Sequence, residues 1–234
     1  MSCFLYNRNG DFMRTLVIIP AFNESENIEH VVEQVTALNY DYLIINDCST
    51  DDTARILDKK GLNHLDLINN VGLASVTQVG FKYASDHDYD AVVVVDGDGQ
   101  HLPEYIASLL EKIEEGYDYV IGSRFVSEKK PFTLRMIGSR ILCFFIRLKT
   151  GVKITDPTSG MRALGKKVCR DFSQHMNYIA EPDALVSVLR KKRKVLEVQV
   201  KMEDRENGES YFMNPIKSVK YMFSVLFSII FVQW

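Results

Sequence analysis

The sequence predicts an α/β fold in which a mostly parallel, Rossmann-like sheet is flanked by helices, with an apolar helix appended at the C-terminus. Three observations predict it. Through the first half, short apolar runs of strand length alternate with longer segments of helical periodicity. Those runs are nearly continuous in apolar residues, as in parallel strands buried on both faces. Polar clusters at Pro20–Glu24, Asn46–Thr53, Asn69–Leu73 and Asp96–His101 follow their ends. Open sheets of this kind bind ligands beyond the carboxyl ends of their strands.

Leu16–Ile19 is the first strand, after which Ile28, Val31, Val32, Val35 and Leu38 recur at helical spacing. Asn23 and Glu26, three residues apart, resemble a capping pair for that helix. Leu43–Ile45 is the second strand, and Thr50 or Asp51 caps a helix running through Leu57. Leu65–Ile68, a helix near Leu73–Ala84 and then Ala91–Val95 repeat the unit. Pro103, suited to a first helical turn, precedes Ile106, Leu109, Leu110 and Ile113. Tyr119–Ile121 closes the series.

The second half changes character. Leu134–Gly151 is apolar but carries Arg135, Arg140, Arg147 and Lys149; Glu181–Lys191 reads as a helix, and Val195–Lys201 alternates like a half-exposed strand. Ile216–Val232 is strongly apolar. It falls short of the roughly 20 residues needed to span a bilayer as a helix, so an interfacial anchor or an oligomer contact is expected. Phe223, Leu226, Phe227, Ile230 and Phe231 left exposed would form a large apolar patch. Membrane, a membrane-protein partner or a second subunit of a homo-oligomer is expected to cover it. The organisation read from these features is a tail over 1–13, one domain over 14–212 and the apolar helix over 213–234.

Composition narrows the function classes. A net charge of −3 gives no global pull toward nucleic acid, and no such partner is expected. The four cysteines are scattered without C-x-x-C spacing, which argues for reduced thiols in a cytosolic compartment. The N-terminus lacks the basic-then-apolar layout of a signal peptide. No G-x-G-x-x-G follows the first strand, which disfavours a dinucleotide-dependent dehydrogenase.

The chemistry is expected at Asp96 and Asp98, two carboxylates just past a buried strand. Hard divalent cations take carboxylate oxygens, and Mg2+ commonly uses one or two of them plus phosphate oxygens of a substrate. A D-x-D at a strand end suits a metal held against a diphosphate, although Asp and Gly are also ordinary turn formers.

TLVIIPAFNESENI, LIINDCSTDDT and DGDGQHLPE, in that order, resemble glycosyltransferase family 2, and within it the branch that makes dolichyl- or polyprenyl-phosphate sugars. The resemblance runs from about Thr15 to Ser210. It implies the GT-A fold, a nucleotide-diphosphate sugar donor with UDP preferred over GDP, and Mg2+ or Mn2+ as cofactor. By that resemblance Pro20, Ala21, Phe22 and Glu24 lie along the nucleobase, Asp47 meets base or ribose, and Asp96 meets ribose or metal. Asp98 and Gln100 complete the metal site. Phe22 stands where the pattern often has Tyr, and Asn46 replaces the first Asp of an acidic pair. IGSRF, DPTSGMRA and DRENGES match later blocks, so Ser123, Arg124, Arg135, Arg205 and Ser210 are expected to bind an acceptor phosphate. Asp156 and Glu181 are further catalytic candidates, as bases or as hydrogen-bond acceptors that order the acceptor. His101 is a candidate for a catalytic role, for orienting the metal loop, or for an ordinary surface histidine.

The acceptor decides what the protein must supply. A sugar hydroxyl needs a general base, here Asp156, Glu181 or Asp183. A lipid monophosphate, with a second pKa of about 6, needs positioning and charge screening instead. The arginine blocks favour a polyprenyl phosphate, at the cytoplasmic face of the membrane. The alternatives are transfer to a hydroxyl of a growing cell-surface glycan, or a non-catalytic sugar-nucleotide-binding scaffold. The resemblance also implies inversion by single displacement.

Overall fold

The computed structural model describes residues 13–175, 178, 180–203 and 215–233. The expected tail therefore lies almost wholly outside the described residues. Seven strands form one sheet in the order β3-β2-β1-β4-β6-β5-β7. β1 (Thr15–Ala21) pairs in parallel with β2 (Asp41–Asn46) and β4 (Ala91–Val94), and β2 with β3 (His64–Asp66). β5 (Tyr119–Ser123) pairs in parallel with β7 (Val195–Gln199).

β1 is buried along its whole length, and its side chains divide by the strand period of two. Leu16 and Ile18 enter one core, shared with α3 (Leu73–Asp86), α5 (Leu134–Thr150), α6 (Lys166–Gln174) and α7 (Glu181–Arg190). Val17 and Ile19 enter the other, shared with α1 (Ile28–Ala37), α2 (Thr53–Lys60) and α4 (Ile106–Glu114). This doubly covered sheet is the architecture expected from the apolar runs.

Several local expectations are corrected. β6 (Arg162–Gly165) and α6 were not anticipated. β6 inserts between β4 and β5, antiparallel to both, with Arg162 opposite Val94 and Ile121. Its reversed direction brings the preceding segment, Asp156–Met161, to the edge where the parallel strands end. Asn23 and Glu26 do not cap α1. Asn23 adopts a left-handed backbone (φ 58°), and its Oδ1 accepts from the Thr50 and Asp51 amides. β7 does not alternate: all five residues are half-buried, because it is an edge strand with partial cover on both sides.

The apolar C-terminus forms α8 (Pro215–Phe227), prolonged by one wider turn, Ser228–Val232. Val225 and Ile229 are fully buried in the core shared with α5 and α7. Polar latches hold it there. The Ser228 hydroxyl donates to Asp183 Oδ2 at 2.6 Å, Lys149 Nζ to the Ile230 carbonyl at 2.9 Å, and Arg190 to the Gln233 carbonyl at 2.6 Å. Among the described residues no helix is long and apolar enough to cross a membrane.

Candidate active site

The ends of β1, β2 and β4 define one edge of the sheet, and their loops are tied together by backbone and side-chain hydrogen bonds. The Gly97 amide donates to the Pro20 carbonyl, and the Asp47 amide to the Ala21 carbonyl. Pro20 and Ala21 are thus buried strand-end backbone, whereas Phe22 stands 44% exposed, a free ring face above them. Glu24 is buried. Its amide donates to the Thr53 hydroxyl, and its carboxylate accepts from Asn27 Nδ2. A Cβ on Gly97 would come within 2.8 Å of the Pro20 carbonyl and 3.6 Å of Glu24 Cγ, so glycine lets the two loops touch.

Asp47 is also buried, but its carboxylate meets protein. It accepts from the Val71 and Gly72 amides at 2.7 and 2.9 Å, fixing the loop that opens α3. Asn46, the departure from the acidic pair, donates to Asp66 Oδ1 at 2.7 Å and accepts from the Ser49 hydroxyl at 2.6 Å.

Beyond β4, Asp96 and Asp98 sit on a turn and are partly exposed. Asp98 Oδ1 accepts from the Gln100 amide, a turn-stabilising bond of 3.1 Å. Gln100 is stitched to the segment after β7: its carbonyl accepts from the Glu203 amide, and its side chain donates to the Glu203 carbonyl. His101 is buried behind the turn, with Nδ1 accepting from the Asp96 amide at 3.0 Å. Burial drives its pKa down to about 4, with Arg124 and Arg162 adding to the fall and Asp98 opposing it, so the ring is neutral near pH 7. Gly160 backs this turn. A Cβ there would lie 2.6 Å from Asp96 Oδ2 and 2.9 Å from His101 Cε1.

Arg162 was not singled out from the sequence. It is buried on β6, 3.1 Å from Glu181 Oε1. Burial alone would lower its pKa, but Tyr119, Glu181 and Asp96 outweigh that and hold it above the usual arginine value. It therefore places a fixed positive charge behind the acidic turn. The signal was an arginine inside the short apolar strand RALG, where a charge must be paired.

On the β5 side, Asp156 is fully buried and grips Arg124 in a fork, accepting from Nε at 2.7 Å and from the terminal nitrogen at 2.9 Å. Glu197 Oε1 in turn accepts from the Asp156 amide at 2.7 Å. Arg124 keeps 21% of its side chain exposed at the rim. Arg135 lies at the exposed start of α5. Local desolvation and the nearby charge of Arg124 lower its pKa, while Asp156 and Tyr221 pull the other way. Ser123 is buried, its hydroxyl shared with Thr155 and the Phe125 amide, so its place is in the support of the loop. Arg205 and Ser210 lie outside the described residues.

No group of three or more His, Cys, Asp or Glu side chains forms a metal cage among the described residues. Asp96 and Asp98 nonetheless fit a hard divalent cation whose remaining ligands come from a diphosphate. The bare Cα of Gly160 beside Asp96 leaves that carboxylate room a side chain would take.

The sequence profile described as Glycosyl transferase family 2 matches residues 16–173. This chain belongs to glycosyltransferase family 2. Relatives include the polyprenol monophosphomannose synthase of Mycolicibacterium smegmatis, 31% identical over 84% of this chain and 80% of that protein. The dolichol-phosphate mannosyltransferase of Pyrococcus furiosus is 34% identical over 85% of this chain, which spans 59% of it. The UDP-N-acetylglucosamine–dolichyl-phosphate N-acetylglucosaminyltransferase of Methanococcus voltae is 32% identical over 79% of this chain and 84% of that protein. These likenesses place the chain in the polyprenyl-phosphate sugar synthase branch of the family. The fold matches glucosyl-3-phosphoglycerate synthase of Mycobacterium tuberculosis, crystallised with Mg2+ and UDP, with a TM-score of 0.72. That match covers 93% of this chain and 79% of the other at 18% identity, and it fixes the GT-A architecture. The chain is thus a family 2 glycosyltransferase.

Proposed function

We propose that this glycosyltransferase moves a sugar from a nucleotide-diphosphate donor to a polyprenyl phosphate, at the cytoplasmic face of the membrane. One observation carries the choice of acceptor. The three carboxylates that could serve a hydroxyl acceptor as base are already committed: Asp156 to Arg124, Glu181 to Arg162, and Asp183 to Ser228 and the Ala180 amide. A phosphate monoester needs no base, because it is already largely anionic near neutrality. What it needs is cationic positioning, and Arg124 is partly exposed at the rim, with Arg135 near enough to feel its charge.

In this reading Phe22 offers its face to the nucleobase and Glu24 lines the same end. Asp96, Asp98 and Gln100 hold Mg2+ or Mn2+, which when bound neutralises charge on the departing nucleotide diphosphate. Arg124, fixed by Asp156, orients the acceptor phosphate, and Arg205 is read as a second cation for it. Neutral His101 props the Asp96 backbone. Transfer then proceeds with inversion, in one displacement. A UDP-sugar is preferred over a GDP-sugar, supported by the Methanococcus relative named for a UDP-sugar donor.

The test is transfer by the purified chain with manganese, a panel of UDP- and GDP-sugars and a short polyprenyl phosphate. The expected result is an organic-soluble sugar product, reduced at least about a thousandfold in Asp98→Ala. Donor hydrolysis without lipid product would move the acceptor to a glycan hydroxyl, and silence with every donor would leave a binding scaffold.

A further inference from the structure

The acidic turn and the rim arginine are joined by one short segment, Asp156–Met161. At its start Asp156 grips Arg124 through Nε and a terminal nitrogen, at 2.7 and 2.9 Å. Near its end a Cβ on Gly160 would stand 2.6 Å from Asp96 Oδ2. The two ends are four positions apart in the chain. β6 begins directly after them and pairs antiparallel with β4 and β5, which sets the segment across the sheet edge. Two bonds tie it to β5: the Gly122 amide donates to the Met161 carbonyl, and the Ser159 hydroxyl to the Gly122 carbonyl.

Little of this segment is left to face a ligand. Asp156, Pro157, Ser159 and Met161 are buried, and only Thr158 and Gly160 are partly exposed. Gly160 offers no side chain, so Thr158 is the one that can read what lies against the segment. Its hydroxyl is weakly held. Oγ1 lies 3.4 Å from Asp156 Oδ1, beyond the roughly 2.5–3.0 Å of a normal O–H···O bond. That carboxylate oxygen also accepts from the Arg124 terminal nitrogen, so the hydroxyl faces the fork.

Single displacement puts the attacking oxygen, the anomeric carbon and the departing oxygen in line. With the diphosphate at the acidic turn and the acceptor phosphate on Arg124, the sugar ring lies over the segment between them. We infer that Thr158 is a donor-specificity residue whose hydroxyl hydrogen-bonds one hydroxyl of the transferred sugar. The inference rests on the donor and acceptor placement proposed above and deepens it by naming the side chain that reads the sugar. A threonine suits the task. Its hydroxyl both donates and accepts, as a sugar hydroxyl does, and its β-branch restricts χ1.

The experiment takes the UDP- or GDP-sugar that the native chain uses best, with manganese and a short polyprenyl phosphate. It compares that donor with analogues lacking one sugar hydroxyl at a time, measuring kcat/KM in the native chain, Thr158→Val and Thr158→Ser. The native chain is expected to penalise one analogue by about tenfold, the worth of one hydrogen bond. Thr158→Val keeps the shape without the hydroxyl and should erase that penalty, while Thr158→Ser should keep it. A role confined to the Asp156–Arg124 fork would slow every donor alike and leave the ratios unchanged. Equal ratios in the native chain and Thr158→Val therefore overturn the inference and leave the lipid-acceptor reading intact. If the chain only hydrolyses its donors, the same ratios are read from hydrolysis. A penalty that depends on Thr158 would then keep this assignment and refute the lipid acceptor; silence with every donor overturns both.

Discussion

The two halves of the sheet edge solve different problems with the same residue types. On the β1–β2–β4 side, polar side chains are spent on backbone. Asp47 holds two amides of the loop opening α3, Asn23 holds two amides after β2, and Asp51 holds the Thr53 amide and hydroxyl. On the β5–β6–β7 side, two carboxylates are spent on cations, Asp156 on Arg124 and Glu181 on Arg162, while Glu197 behind them holds the Thr155 and Asp156 amides. The first arrangement makes rigid loops with small exposed surfaces, suited to a nucleotide. The second makes fixed positive charge, suited to a phosphate. Electrostatic preorganisation of this kind costs no rearrangement when the ligand arrives.

Breaking the cationic half should have the larger effect. Asp156→Ala removes the buried partner of Arg124 and leaves a partly buried guanidinium uncompensated. The expected cost is about 3 kcal/mol of stability, together with loss of transfer. Chemical denaturation and the transfer assay would check it. If Asp156→Ala folds with native stability, the fork is not what holds Arg124.

Gly160→Ala addresses the seam between the halves. Its methyl would collide with Asp96 Oδ2 and His101 Cε1 in a turn with little room to yield. Transfer should fall by up to about a hundredfold, the size of effect expected from displacing a site group by about 1 Å. Titration with manganese should show activity saturating only at a higher metal concentration, and the melting temperature should fall as well, because the methyl must displace Asp96 or His101. An unchanged curve would detach Gly160 from the metal turn.

Much of this contrast was legible in the sequence, and the exceptions have physical causes. β1, β2, β4, β5 and the D-x-D turn were legible because buried parallel strands are continuous apolar runs and turns need Asp and Gly; β3, expected at Leu65–Ile68, is the short and largely exposed His64–Asp66. β6 was not: Arg162–Gly165 is four residues long, opens on a charge and has no period to read. Nor was the service of Asp47. Its amide partners, Val71 and Gly72, lie 24 and 25 positions on and carry no side-chain signal. The C-terminal run was legible as apolar but not as two-faced. Which of its residues enter the core depends on where Asp183 meets Ser228, a contact across 45 positions.

That contact gives a smaller effect. Ser228→Ala leaves Asp183 Oδ2 buried without the hydroxyl that now meets it. The expected loss is about 1–2 kcal/mol, with α8 loosened from α7. Hydrogen exchange should show faster exchange in α8 than in the native chain, with β1 and β4 unaffected. Uniform change throughout would mean that α8 unfolds only with the whole domain.

The smallest expected effect returns to the nucleotide half and depends on pH. Asp51 is mostly exposed. Its slight burial works to raise its pKa, but hydrogen bonds from Thr53 and Ser25 outweigh this and lower it below 3.8. A carboxylate whose folded pKa is depressed stabilises the protein above its unfolded pKa, and that contribution fades as pH falls through the folded value. Asp51→Asn should therefore narrow the stability difference from the native chain as the solution is taken from about pH 6 to below about pH 3.5. Thermal melts across that range would measure it. Because the Thr53 hydroxyl also receives the Glu24 amide, the same variant should weaken nucleotide binding slightly at neutral pH. If the loop bonds serve folding alone, the melts will shift and nucleotide affinity will not.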